Sequence, residues 1–186
     1  FKQRIHHSRT NGTLLISETL AALDRKPRVF ACASAIGYYG NRGDQLLAEA
    51  DGPGDDFLAD VCQQWEAACQ PARDAGIRVA NMRIGVVLSP DGGALAKMLT
   101  PFRLGGGGIV GNGRQFWSWI ALDDVVGAIQ HVVETESIVG PVNLVAPQSV
   151  TNAEFTKTLG RVLSRPTTAQ GSSIACNAGR SLIGTT

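Results

Sequence analysis

Two apolar runs, Val29 to Ala33 and Ile77 to Leu88, each follow a stretch of helical length and spacing, and this alternation leaves few folds open. A helix is predicted from about residue 2 to Leu23, with Ile5, Leu14, Leu15 and Leu20 as its apolar positions and Asp24-Arg25-Lys26-Pro27 as its stop. A strand from Arg28 to Ser34 follows. After a polar loop from Asn41 to Asp56, Leu58, Val61, Cys62, Trp65, Ala68 and Cys69 recur at spacings of three and four, which predicts a helix over 57–75 capped by Gly76. Ile77 to Leu88 then reads as one strand interrupted by Arg83. The order helix, strand, helix, strand is that of a parallel, doubly wound α/β sheet. The chain opens on Phe1, mid-helix by pattern and without a methionine, so a strand preceding the first helix is expected upstream.

Beyond Ser89 the character changes. Ser-Pro-Asp-Gly-Gly is a turn, Ala94 to Leu104 a short helix, and Gly105 to Gly108 a glycine run followed by Ile109-Val110-Gly111-Asn112-Gly113. Such a stretch is either a linker or a loop whose backbone approaches a ligand, and the following Arg114 to Ile120 segment favours an ordered one. Asp123-Asp124 is expected to cap a helix running to about Thr135, Gly140 to Val145 to form a short strand, and Thr151-Asn152-Ala153-Glu154 to be a capping box opening a helix to Leu163. The division expected is 1–90 for the first α/β domain, 91–166 for a second set of elements with returning sheet segments, and 167–186 for an irregular tail.

Seventeen basic and sixteen acidic residues give a net charge of +1, so no global field points to nucleic acid or an anionic membrane. No run of about 18 apolar residues and no signal-peptide pattern appears, which makes the cytoplasm the default address. Cys32, Cys62, Cys69 and Cys176 show no CxxC pairing and read as reduced, mostly buried thiols. His6-His7 has no partner at helical spacing, so no metal site is expected. The glycine run lacks the Gly-Lys-Ser/Thr ending of a phosphate loop, and no GxGxxG is present. For Asp123-Asp124 the reading as cap and dipole partner is favoured over catalytic carboxylates.

Chemistry concentrates at the end of the first strand, in Ser34-Ala35-Ile36-Gly37-Tyr38-Tyr39-Gly40. A buried parallel strand delivers polar groups to its carboxyl edge, and in open α/β sheets that edge is where ligands sit. The plainer alternative is a strand end with tyrosines packed and their hydroxyls wet. Arg83 inside an apolar strand must find a carboxylate, carbonyl or phosphate, so it is either a core ion pair or a ligand clamp. Arg9, beside Ser8 on the first helix, is a surface residue unless that helix faces a cleft.

Taken together, these segments resemble the atypical extended short-chain dehydrogenase/reductases known as epimerase-family, or nucleoside-diphosphate-sugar-epimerase-like, proteins. The matching pieces run in unbroken order over about residues 1–166: Ile5 to Gly12, Ser34 to Gly40, Gly54 to Leu58 with Trp65-Glu66-Ala67-Ala68, Arg83 to Leu88, Gly92 to Leu99, Pro101 to Gly105, Gly111 to Trp119, Asp123-Asp124, and Thr151 to Phe155. The resemblance implies a Rossmann-type NAD(P)-binding domain, here without the glycine-rich GxxGxxG turn that holds the pyrophosphate, and a smaller C-terminal substrate domain. It implies NADP or NAD as cofactor and a small-molecule substrate. Arg9, Ser34, Arg83, Val86 and Val87 become candidate cofactor contacts, Ser34 and Tyr39 candidate catalytic residues, and Tyr38, Arg114 and Trp119 candidate substrate contacts.

One departure bears on chemistry. Ordinary members of the superfamily use a Tyr-x-x-x-Lys pair, and counting back from Glu66, which matches their helix glutamate, those positions hold Leu58 and Cys62. Two functions follow as expectations: an epimerase or oxidoreductase on an unidentified small substrate, a sugar nucleotide being one candidate, or a catalytically inactive NADP(H)-binding or interaction module. The segment from Thr167 on matches nothing in the family pattern.

Overall fold

The computed structural model describes residues 2–167, which divide into two compact units. Among the described residues, the first unit comprises 2–85 and 123–144, the second 86–122 and 145–167. The chain therefore leaves the first unit after Gly85, returns to it at Asp123 and leaves again after Leu144. The expected irregular tail, apart from Thr167, lies outside the described residues.

In the first unit, α1 (Lys2–Ala22) leads into β1 (Val29–Ala35), a single 3-10 turn at Ile36–Tyr39, α2 (Phe57–Ala67), α3 (Gln70–Asp74) and β2 (Arg78–Ile84). Helix α4 (Leu122–Glu134) and strand β3 (Gly140–Leu144) complete it. The strands form a parallel sheet in the order β1-β2-β3. Residues that share a register row in a parallel sheet point to the same face, so Cys32, Asn81 and Pro141 form one row and Ser34, Arg83 and Asn143 the next. The lower row meets the helices in a core of Cys32, Cys69, Ala72, Ile77 and Val79, against which Leu20, Phe30 and Trp65 pack.

Three expectations are corrected here. The predicted helix over 57–75 is two helices, because Pro71 supplies no N–H and its ring opposes the carbonyl four residues back, so α2 stops at Ala67 and α3 restarts with the proline in its first turn. Gly76 closes α3 in the left-handed region, with φ +80°. The apolar positions read for α1 only partly mark its packed face: Leu20 packs on the core and Ile5 is half-buried, but Leu14 and Leu15 are exposed, while Thr10, Thr13 and Ser17 are buried. Small hydroxyls serve there because they bond the neighbouring helices, Thr13 accepting from Trp65 Nε1 and Ser17 from the Ala72 backbone N–H, each at 2.9 Å. Asp123 and Asp124 sit inside the first turn of α4, which begins at Leu122, and complement its dipole there instead of capping it.

The predicted strand Ile77 to Leu88 also divides. Gly85 donates to Leu144, ending the β2–β3 ladder, and the next residue pairs elsewhere. The second unit contains β4 (Val86–Ser89), α5 (Gly93–Arg103), β5 (Phe116–Trp117), β6 (Trp119–Ala121), β7 (Val150–Thr151) and α6 (Asn152–Val162). β4 pairs in parallel with β6, and β5 antiparallel with β7. Thr151 and Glu154 form the expected capping box of α6. No described helix is long and apolar enough to cross a membrane.

Candidate functional site

The upper row of the first sheet, Ser34, Arg83 and Asn143, presents three polar side chains at the carboxyl ends of three parallel strands. Arg83 is 3% exposed. Its Nε donates to Glu66 Oε1 and its Nη2 to Glu66 Oε2, both at 2.9 Å, a bidentate pair between β2 and α2. Nη1 donates to Tyr39 Oη at 3.0 Å and to the Glu49 carbonyl at 3.3 Å. Burial pulls the guanidinium toward its neutral form, but hydrogen bonds to Glu66 and Tyr39 more than offset this and hold its pKa above the ordinary arginine value. Of the two readings open for Arg83, the structure displays the core ion pair.

The neighbouring hydroxyls are drawn into the same network. Ser34 Oγ donates to Glu66 Oε1, and Tyr39 Oη donates to Asn143 Oδ1, each at 2.7 Å. Both residues are buried. The loop after Tyr39 closes over them: the Asn143 backbone N–H donates to Glu49 Oε1 at 2.8 Å, and Arg42 donates to the carbonyls of Tyr39, Gly52 and Pro53. Gly54 donates its N–H to Tyr38 O at 2.9 Å. A Cβ at Gly54 would lie 2.7 Å from Gly40 Cα and 2.8 Å from Tyr39 O, so only glycine permits this approach.

Tyr38 differs from its neighbour. Its ring lies under the Arg83 guanidinium, with Cζ 3.4 Å from the ring centroid, and stands edge-on to Tyr39 at 5.4 Å and 84°. The side chain is only half-buried, and its hydroxyl has no hydrogen-bond partner among the described residues. Leu58 and Cys62, which the resemblance matches to the superfamily's Tyr and Lys, flank Gly37 of the segment, 3.5 and 3.8 Å from where its Cβ would be. Leu58 is exposed and Cys62 buried, with burial pushing the Cys62 thiol pKa up.

Of the other residues singled out, Arg9 stacks its guanidinium on Trp65, 5.2 Å from the ring centroid, in the first unit. Val86 and Trp119 are register partners in the β4–β6 pair of the second unit, with Val87 opposite Ile120. Trp119 Nε1 is buried without a hydrogen-bond partner among the described residues. Arg114 is exposed, its backbone N–H donating to Asn112 Oδ1. Sequence reasoning brought out Glu66 only through the resemblance, and it passed over Glu49 and Asn143. Two signals were present: Glu66 falls one helical turn after Cys62 on the buried side of α2, and Asn143 is a polar residue in an apolar strand, as Arg83 is.

No family model matches the chain. An epimerase family protein of Mycobacterium bovis is 45% identical over 178 residues, 96% of this chain and 58% of its own length. Epimerase family protein SDR39U1 of Homo sapiens is 38% identical over 169 residues, 89% of this chain and 56% of its own. The crystal structure of human SDR39U1 (isoform 2) with NADPH matches at a TM-score of 0.88 and 34% identity, over 98% of this chain and 61% of that one. A nucleoside-diphosphate sugar epimerase from Corynebacterium glutamicum matches at a TM-score of 0.80 and 38% identity, over 100% of this chain and 40% of that one. The chain spans under two thirds of the length of these relatives, and its parallel sheet is part of their Rossmann-type fold. By sequence and by fold, almost the whole chain is similar to just over half of the length of epimerase family proteins, in line with the resemblance to atypical short-chain dehydrogenases/reductases.

Proposed function

We propose that the chain is the part of an NAD(P)-dependent epimerase-family oxidoreductase that carries the reacting edge of the sheet, acting on a small, sugar-nucleotide-like substrate. The observation that carries this is the row Ser34, Arg83 and Asn143 at the carboxyl ends of parallel strands, with Tyr38 and Tyr39 above it, in the position where open α/β sheets take their ligands. The opposite face of β1 suits a flat ring: Ala31, Ala33 and Ala35 are small, and Ala33 is exposed. The match to a relative solved with NADPH supports the same cofactor class.

In this reading Arg9, Ser34 and Arg83 of the first unit border the cofactor and Tyr38 the substrate. In the second unit, Val86 and Val87 remain candidate cofactor contacts and Arg114 and Trp119 candidate substrate contacts through the family resemblance. The orphaned Trp119 Nε1 is a donor that a substrate oxygen would satisfy. A bound nicotinamide supplies hydride chemistry; the chain's own residues orient the substrate and move its proton.

A second reading, a cofactor-binding module without turnover, is favoured by one observation. Leu58 and Cys62 cannot act as the Tyr/Lys pair, and the hydroxyls of Ser34 and Tyr39 are already spent on Glu66 and Asn143. NADPH titration of the full gene product, followed by hydride exchange with a panel of ketones and sugar nucleotides, separates the two. Binding with exchange supports the enzyme, and binding without exchange across the panel supports the module. Absence of NADPH binding refutes both.

A further inference from the structure

Three hydroxyl-bearing side chains meet the Arg83–Glu66 pair, Ser34 and Tyr39 through their hydroxyls and Tyr38 through its ring, and they are not equivalent. Ser34 and Tyr39 are 3% and 4% exposed, and each already donates its proton to a protein acceptor. For either to protonate a substrate it must abandon that acceptor and leave it unpaired in the interior. Tyr38 carries no such commitment. Its hydroxyl has no hydrogen-bond partner among the described residues, and the residue is half-buried where Ser34 and Tyr39 are buried. Its ring is nevertheless held: the guanidinium covers one face, Tyr39 meets it edge-on, and its own carbonyl is tied to Gly54.

We infer that Tyr38 is the residue that exchanges a proton with the substrate, and that Arg83, locked by Glu66, is its positioning residue. This rests on the reading of the edge as a nicotinamide and substrate site. In the direction of reduction, a bound reduced nicotinamide would supply hydride to the carbonyl carbon, and Tyr38 Oη would give its proton to the carbonyl oxygen. The C=O double bond becomes an alcohol, and the phenolate recovers its proton from water. While the proton is on the substrate, the guanidinium over the ring compensates the charge left behind. No lysine is required at position 62, because the fixed cation comes from β2.

The two tyrosines of this chain, Tyr38 and Tyr39, are told apart by mapping tyrosine modification to the residue. The full gene product is treated with tetranitromethane with and without saturating NADPH, and nitration is mapped by mass spectrometry. Tyr38 is expected to be nitrated, Tyr39 spared, and NADPH to slow Tyr38 nitration. Y38F keeps the ring on Arg83, so it is expected to fold and to bind NADPH as before, yet to lose exchange with the panel by about 10²–10⁴-fold, the usual worth of a general acid. Nitration of Tyr39 in preference to Tyr38, or a Y38F variant with undiminished exchange, overturns the inference while leaving the cofactor reading intact. Failure of the unmodified protein to bind NADPH overturns both, and binding without any exchange overturns the inference in favour of the module.

Discussion

Replacing Glu66 with alanine is the most informative perturbation of the network. The Arg83 side chain is 4% exposed and that of Glu66 12%, so E66A strands a guanidinium where water reaches it poorly. Breaking a buried pair from one side costs about 3–5 kcal/mol. With a urea slope of about 2 kcal/mol per molar, E66A should lower the unfolding midpoint by about 1.5–2.5 M. Removing both charges is a different experiment, since a buried pair replaced by apolar side chains is often neutral. E66L/R83M should therefore recover at least about 2 kcal/mol relative to E66A. An internal control is at hand in Arg28 and Glu136, an ion pair whose side chains are 85% and 74% exposed. R28A should cost no more than about 1 kcal/mol. Denaturation followed by circular dichroism measures all of these. If E66A costs no more than R28A, or if the double variant equals the sum of its single changes, burial is not what gives this pair its weight.

Other positions test separate parts of the fold. G54A must push the loop off Gly40 and Tyr39, so it should cost about 1–3 kcal/mol by thermal or urea denaturation and raise the nitration of Tyr39. S17A leaves the Ala72 N–H without its acceptor at a fully buried site and should cost about 1–3 kcal/mol, whereas L15A on the exposed side of the same helix should change little. Hydrogen bonds from the Thr151 backbone and hydroxyl hold the Glu154 carboxyl below the usual carboxylate range. A depressed folded-state pKa gives stability that is present above the unfolded value and lost as pH falls through the folded one. E154Q should therefore differ from the unmodified protein at neutral pH and converge with it in acid, below about pH 4.5, in a pH series of melting curves.

What could be read from the sequence is what depends on neighbours in the chain. Helix and strand periods placed α1, β1 and β3 near their observed bounds and α2 and β2 near their observed starts, and the Thr151 capping box was legible because its partners are three residues apart. The division at Gly85 was not legible, since Val86 to Leu88 are as apolar as the strand before them and only the change of pairing partner, from β3 to β6, ends one strand and begins the next. The packed face of α1 was only partly legible for a related reason: its buried residues are small hydroxyls chosen by what Trp65 and Ala72 need, and a hydrophobic period cannot register them.

The site follows the same division. That Arg83 needed a partner could be argued from one residue in an apolar strand, because an unpaired guanidinium there is untenable. Which partner it takes is set by sheet register, which brings Ser34 and Asn143 to either side of it, and by the helix that lays Glu66 across the row. Tyr39 and Asn143, bonded here, are 104 residues apart in the chain. The same geometry separates the two adjacent tyrosines, which the sequence presents as a pair: one hydroxyl is consumed in holding the sheet edge together, and the other has no acceptor among the described residues while its ring lies against a fixed cation. A segment lacking the usual tyrosine and lysine on its helix can thus still present a phenol and a positive charge side by side, with the phenol moved to the strand's own loop and the charge to the neighbouring strand.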